Sequence, residues 1–356
     1  MKEIREILKE ISALPHGEKA VLATVVDLKG SGYRLPGARM LIKSNGDAVG
    51  TVSGGCLEAD VMERAKRVLE SGRAEVFTYD TTADEASVFS LNMGCRGVMR
   101  ILLEAIDGNS EIIRAFRRVN ESRKPLTCSV VIDRGQDANL TLGQRFFEPS
   151  ERFPALETDL GTFARAASNC EMHRYETREE FAFERINPPL QLFILGAGAD
   201  AVPLANAAHD LGWQVNVCDH RPAFLNRERF PQADELVFLH RDGKLEWDVD
   251  DLTAFVLMNH NYDRDKAMLP GALKSNAFYV GALGPKKRTE QMLDEISEDL
   301  DLTRLRAPAG LDIGADTPEA IAISIVAEIQ SVLKNRTGGP LRDRNAPIYD
   351  RSIARI

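Results

Sequence analysis

Two short stretches of this chain carry residues whose types and spacing can do chemistry. The first is Ser53-Gly54-Gly55-Cys56-Leu57-Glu58, where two glycines free the backbone just before a helical pattern, Leu57 to Leu69, begins. That spacing predicts Cys56 at or near a helix N-terminus, where unpaired N–H groups and the macrodipole lower a thiol's pKa and favour the thiolate. A thiolate there can handle sulfur or act as a soft metal ligand. A small buried packing cysteine is the competing reading, because cysteine is among the most buried residue types. A second glycine-flanked cysteine, Cys95, lies in Met93-Gly94-Cys95-Arg96-Gly97. Two such turns in one small domain point more sharply to function than either alone, although Cys95 taken singly reads equally well as structural.

The second stretch runs from Leu192 to Asp219. An apolar run, Leu192 to Leu195, meets Gly196-Ala197-Gly198, then a helical pattern through Leu204, Ala207, Ala208 and Leu211, then a second apolar run, Val215 to Cys218, that ends on Asp219. In a mononucleotide-binding unit Gly196 allows the tight turn, Gly198 admits a pyrophosphate to the backbone, and the small Ala201 lets helix and strand pack closely. The phosphate would sit at the helix N-terminus. Asp219 is placed to accept from ribose hydroxyls, while Arg221 two residues on keeps a further phosphate open. A glycine turn that only packs is the alternative.

Further along, the apolar strand Ala254 to Met258 ends in Asn259-His260-Asn261, and Gly281-Ala282-Leu283-Gly284-Pro285 is followed by Lys286-Lys287-Arg288. Ligands of open α/β sheets bind beyond the carboxyl ends of strands, which makes His260, Asn261, Asp265 and Lys286 pocket candidates by position. A surface or capping histidine and a solvated charge run are the plainer readings.

The elements that must position these residues alternate in type. A helix is expected over residues 1 to 14, and strands over Ala20 to Val26, Ala38 to Ile42, Ala48 to Val52, Glu75 to Tyr79 and Val98 to Glu104. Asn45-Gly46 marks a hairpin. A helix over Glu111 to Arg118 precedes strands at Leu126 to Asp133, Leu140 to Leu142 and Phe181 to Phe183. Asn187-Pro188-Pro189 punctuates the chain before a βαβ rhythm that closes with Thr317-Pro318 opening the helix Ala320 to Leu333. The expected class is α/β: a C-terminal Rossmann-like parallel sheet with helices on both faces, plus a smaller N-terminal α+β domain. The expected domains are 1–110, a middle β-rich segment and linker 111–189, the Rossmann-like domain 190–335 and an arm 336–356.

With 356 residues, 44% hydrophobic and 28% charged, the chain is long enough for two or three globular domains. Its 45 basic and 54 acidic side chains give −9, which disfavours a general nucleic-acid or anionic-membrane binder. An N-terminal apolar leader pattern and a bilayer-length apolar run are both lacking, so a cytoplasmic protein is expected. Five cysteines without CxxC spacing suggest neither a disulfide framework nor structural zinc.

Seven ordered segments resemble the xanthine dehydrogenase accessory factor family, XdhC/CoxI. They are GTVSGGCLEADV around Cys56, MGCRG around Cys95, ILGAGADAVPLA, VCDHRPAF, MNHNYDRD, YVGALGPKKR and APAGLDIGADTPEAIAISIVAEI. The chain departs from the family pattern at Arg96, where a glycine is usual, and at Ala199, where His or Asn is common. The resemblance implies a maturation factor that binds the molybdenum cofactor, a molybdopterin in mononucleotide or dinucleotide form. Such a factor protects the cofactor during sulfuration and hands it to a xanthine dehydrogenase or carbon monoxide dehydrogenase type molybdenum hydroxylase. It also brings in a cysteine desulfurase and a homodimer as partners. On this reading Cys56, with Cys95, handles sulfur or contacts molybdenum, and Gly54, Gly55, Gly196, Gly198, Asp219, Arg221, His260, Asn261 and Lys286 line the cofactor's place. The rival function is an NAD(P)-dependent oxidoreductase, for which Asp219 argues; a partner-binding module with a degenerate nucleotide fold is the third.

Overall fold

The computed structural model describes residues 2–81, 97–147, 163, 170–174, 178–239, 248–346 and 348. Cys95 and the rest of its turn up to Arg96 lie outside them. The chain forms two compact units that part between Pro188 and Pro189.

In the first unit, helix α1 (Lys2–Ala13) precedes strands β1 (Ala20–Gly30), β2 (Arg39–Ile42) and β3 (Ala48–Gly50), helix α2 (Glu58–Ser71), and strands β4 (Glu75–Asp80) and β5 (Gly97–Ile106). The five strands make an antiparallel sheet in the order β3-β2-β1-β5-β4. The central strand β1 is apolar on both faces because both are covered. Ala20 and Leu22 join Ile4, Ile7 and Ile11 of α1, while Val21, Ala23 and Val25 meet Val61, Ala65 and Val68 of α2. The Asn45-Gly46 hairpin closes with Lys43 N–H donating to the Asp47 carbonyl at 2.8 Å.

Helix α3 (Glu111–Ser122) and strands β6 (Leu126–Asp133), β7 (Arg145–Phe147), β8 (Cys170–Arg174) and β9 (Glu180–Ile186) complete this unit. The strands form a second antiparallel sheet, β7-β6-β9-β8. Ile112, Ile113 and Phe116 of α3, with Leu126, Cys128 and Ile186, extend the core that α1 began. The strand expected at Leu140 to Leu142 is a turn instead. Thr141 N–H donates to Gln144 Oε1 at 3.1 Å and Gln144 N–H to the Thr141 carbonyl at 3.1 Å, and this local pairing outcompetes extension. The two sheets are tied by buried ion pairs, Arg39 with Glu184 and Arg145 with Glu104.

The second unit reads β10 (Gln191–Leu195), α4 (Ala201–Asp210), β11 (Gln214–Asp219), β12 (Glu235–Phe238), β13 (Thr253–Leu257), α5 (Tyr262–Lys274), β14 (Tyr279–Ala282), α6 (Lys286–Glu295), β15 (Leu305–Arg306) and α7 (Pro318–Leu333). All six strands are parallel, in the order β12-β11-β10-β13-β14-β15. One face packs on α4 and α7 through Leu204, Ala208, Ala322, Ile325 and Ile329. The other packs on α5 through Met268, Leu269, Ala272 and Leu273. This is the expected Rossmann-like layer order, and the antiparallel first unit supplies the expected α+β part. Among the described residues no helix is long and apolar enough to cross a membrane.

Glu104 grips Arg145 with both oxygens, at 2.5 Å each, and both side chains are under a tenth exposed. Removing one partner strands a buried charge, so Glu104→Ala is expected to cost about 3 kcal/mol in urea unfolding at neutral pH. A loss under about 1 kcal/mol would show that water reaches the arginine.

Candidate functional site

In the first unit the chemistry-bearing stretch is a loop held at both ends and open in the middle. Ser53 and Leu57 are buried, whereas Gly54, Gly55 and Cys56 are exposed. The posts are fixed by side-chain hydrogen bonds that run both ways between Ser53 and the start of the helix. Ser53 N–H donates to Glu58 Oε1 at 2.8 Å and its hydroxyl to Oε2 at 2.5 Å, while Leu57 N–H donates to Ser53 Oγ at 3.1 Å. Burial works against the Glu58 charge, but these donors outweigh it and hold its carboxyl below the ordinary value. Gly55 has φ +105° with nothing within 4 Å of a Cβ position, so glycine is required there by the backbone and not by space.

Cys56 therefore lies two residues ahead of the first helical residue, with its thiol donating weakly to Ser53 Oγ at 3.6 Å. The exposure decides against the packing reading. By contrast burial pushes the Cys128 thiol up to about 12 and raises that of Cys218, so neither forms thiolate near neutrality. Behind the loop α2 is anchored by its apolar face and by Asp60, which accepts from the Tyr79 hydroxyl at 2.6 Å and from Arg64 Nε at 2.5 Å.

In the second unit the expected residues gather at the carboxyl edge of the parallel sheet. Leu195 sits beside Cys218 of β11 and Leu257 of β13, so the chain reverses direction across the sheet between β10 and β13. Here Gly196 takes φ +121°, and a Cβ would stand 2.5 Å from the Met258 carbonyl oxygen. Glycine is obligatory on both counts. Helices α4, α5 and α6 each begin just past this edge, aiming N–H groups and positive dipole ends at it.

Asp219 is used otherwise than its position predicts. It is 0% exposed. Oδ2 accepts from Ala197 N–H and Arg221 Nη2, both at 2.7 Å, and Oδ1 from Arg221 N–H at 2.8 Å and Arg221 Nε at 3.0 Å. A carboxylate has about four acceptor positions, and the chain itself fills them. The expected bond to a ribose hydroxyl is thus replaced by a tie between the glycine turn and Arg221. Burial opposes the charge, but Arg221 and the two backbone N–H groups hold the carboxyl down to about 2.

Arg221 remains partly exposed and stacks on Phe224 at 4.1 Å from the ring centroid. Arg229 approaches the same ring at 4.9 Å, and its guanidinium donates to the Ala197 carbonyl at 2.8 Å and the Gly198 carbonyl at 3.2 Å. Arg229 was not legible, because the residues around it carry no period and no motif; Phe224 ends the VCDHRPAF segment but is not among the site residues read from it.

His260, at φ +53°, stands beside Gly198 and places Nε2 3.1 Å from Asp200 Oδ2. Asn261 is the cap of α5, its side chain accepting from Arg264 N–H at 3.1 Å. Asp265 is buried and bonds Asn259 Nδ2 and Arg288 Nη2, at 2.8 and 2.7 Å. So Arg288, third of the Lys286-Lys287-Arg288 run, is engaged inside the fold. Lys286 stays exposed, 3.7 Å from Glu290. The edge thus offers Arg221, Lys286 and helix N-termini to an anion, with the Asp200 carboxylate as a counterweight at the glycine turn. Among the described residues no group of three or more His, Cys, Asp or Glu is set to hold a metal ion.

The Asp219 carboxyl titrates near 2 in the fold against an ordinary 3.8, so its charge stabilises the protein at every pH above 3.8 and ceases to as pH falls through 2. Asp219→Asn is expected to lower unfolding stability by about 2 kcal/mol at neutral pH. The gap from wild type should close on acidification across that window. An equal gap at pH 7 and pH 2 would contradict the tie.

Residues 192–329 match the XdhC Rossmann domain, and residues 13–80 match the XdhC and CoxI family. Over 316 residues the chain is 33% identical to a probable xanthine dehydrogenase subunit of Bacillus subtilis, covering 88% of this chain and 92% of that protein. It is 25% identical over 333 residues to the molybdenum cofactor insertion chaperone PaoD of Escherichia coli, covering 92% and 88%. A crystal structure of a xanthine dehydrogenase from Bacillus halodurans shares the fold with a TM-score of 0.75 and 27% identity, covering 94% and 97% of the two chains. Matched in both units and along nearly its whole length, the chain belongs to the XdhC/CoxI family.

Proposed function

We propose that this protein binds the molybdenum cofactor and assists its sulfuration and insertion into a molybdenum hydroxylase of the xanthine dehydrogenase or carbon monoxide dehydrogenase type. The observation that carries the reading is the pinned loop, which holds Cys56 out to solvent while Ser53 and Leu57 are buried on either side of it. A thiolate is a soft donor suited to molybdenum. One bond from one thiolate also suits cargo that must leave again, since a single exchange at sulfur or metal frees it. The likeness to a molybdenum cofactor insertion chaperone over 92% of the chain supports the same reading.

In this account Gly54 and Gly55 let the cofactor approach the backbone beside Cys56. Arg221, Lys286 and the amides following Gly198 answer the cofactor's phosphate, with His260 and Asn261 at the same sheet edge and Asp219 orienting Arg221. The dinucleotide form would add phosphate to be met there. Cys95 joins Cys56 as a second thiol, a cysteine desulfurase supplies the sulfur, the working unit is a homodimer, and the setting is cytoplasmic. The nicotinamide alternative drew its argument from Asp219, whose acceptor positions are already filled.

Protein purified anaerobically from a host that makes the cofactor is expected to carry pterin and molybdenum in near-equal amounts. Cys56→Ala should retain less than a tenth of that molybdenum and fail to activate a co-expressed target hydroxylase. Normal loading and activation by the variant would remove the thiol from the scheme. Tight NAD or NADP binding with turnover of a small alcohol would replace it with the oxidoreductase.

A further inference from the structure

The loop between β1 and β2 carries Tyr33, which is 67% exposed, the most exposed large aromatic among the described residues. An aromatic ring in water forgoes the burial that normally makes such residues useful. This ring is nevertheless held in place. A Cβ built on Gly54 would lie 3.3 Å from Tyr33 Cγ and 3.5 Å from Cδ1, so the ring rests against the Gly54 backbone. The loop beneath it is fixed from three directions. Arg34 pairs with Glu3, Gly37 N–H donates to the Val25 carbonyl at 2.8 Å, and a Cβ on Gly97 would strike the Ser31 carbonyl oxygen at 2.5 Å. Two elements distant in sequence thus bring an exposed aromatic ring to the glycine loop that presents Cys56. Gly54 and Cys56 are two peptide links apart, at most about 7.6 Å between Cα atoms.

We infer that Tyr33 is a stacking platform for the planar pterin ring of the cofactor whose metal end Cys56 receives. The inference rests on the functional reading above and adds a specificity element to it. Cys56 recognises a soft metal and is indifferent to what carries it. Tyr33 recognises a flat heteroaromatic system, so the pair selects a metal borne on a pterin over a free oxyanion. A ring held by its backbone contact stacks without first being ordered, which favours binding. A side chain at Gly54 would press on the ring, since its Cβ would stand 3.3 Å from Tyr33 Cγ.

The test uses the full-length protein and cofactor released anaerobically from a heat-treated molybdenum hydroxylase. Bound cofactor is read as its fluorescent oxidised pterin after gel filtration. Tyr33→Ala is expected to weaken retention about tenfold, Tyr33→Phe to stay within about twofold of wild type, and Tyr33→Trp to bind with its added indole emission quenched by the pterin. Thermal melting of the three variants controls for folding, and the Phe and Trp proteins keep the test decisive if the Ala protein unfolds. Equal binding by wild type and Tyr33→Ala, with Cys56→Ser impaired, would overturn the platform and leave the functional reading standing. Equal losses in Tyr33→Phe and Tyr33→Ala would assign the effect to the hydroxyl and overturn stacking. No retention by wild type would overturn the functional reading, and the platform with it.

Discussion

The presentation of Cys56 depends on the Glu58 carboxylate folding back onto Ser53. Without those bonds a segment containing Gly54-Gly55 would sample many conformations, because glycine has the most backbone freedom to lose. With them, two buried posts define the ends of the loop and only the three residues between face water. Burying part of a carboxylate is unfavourable in itself, and the donors of Ser53 and Leu57 more than offset it. The posts are steady because α2 is steady, through Val61, Ala65 and Val68 against the sheet and through the clamp of Asp60 on Tyr79. The thiol's position is thereby set by the core of the first unit.

The second unit shows how far a fold can be read as a function. Its sheet order, glycine turn and terminal acid are those of a dinucleotide-binding protein, and the acid is nonetheless internal. Asp219 holds the turn through Ala197 and orients Arg221, while Arg229 grips the carbonyls on the turn's other side. What reaches solvent at that edge is Arg221 and Lys286, with Asp200 and not Asp219 as the carboxylate at the glycine turn. Ligand preference is set by such side chains and not by the fold that carries them.

Periodicity and punctuation made most of the architecture legible. The apolar run at Leu192 to Leu195, the glycines after it and the helix spacing beyond are local signals, and the parallel sheet follows from them. The turn at Thr141 to Gln144 escaped because side-chain bonding to backbone competes with extension without changing the hydrophobic pattern. Cys56 was legible through its flanking glycines. Its exposure stays open in the sequence against a buried packing role, and the resting of Tyr33 on Gly54 was not legible, since it joins two loops separated in sequence. Asp219 and Asp265 were found by position and assigned to a ligand; Arg221 and Asn259 stand near them in sequence, but Ala197 and Arg288 reach them only in three dimensions.

The central claim is that the Cys56 sulfur meets the molybdenum of the bound cofactor. X-ray absorption at the molybdenum K-edge tests it on cofactor-loaded wild type and Cys56→Ser. The account predicts one more sulfur neighbour around molybdenum in the wild type than in the variant. Identical shells in the two proteins, at equal loading, would contradict it.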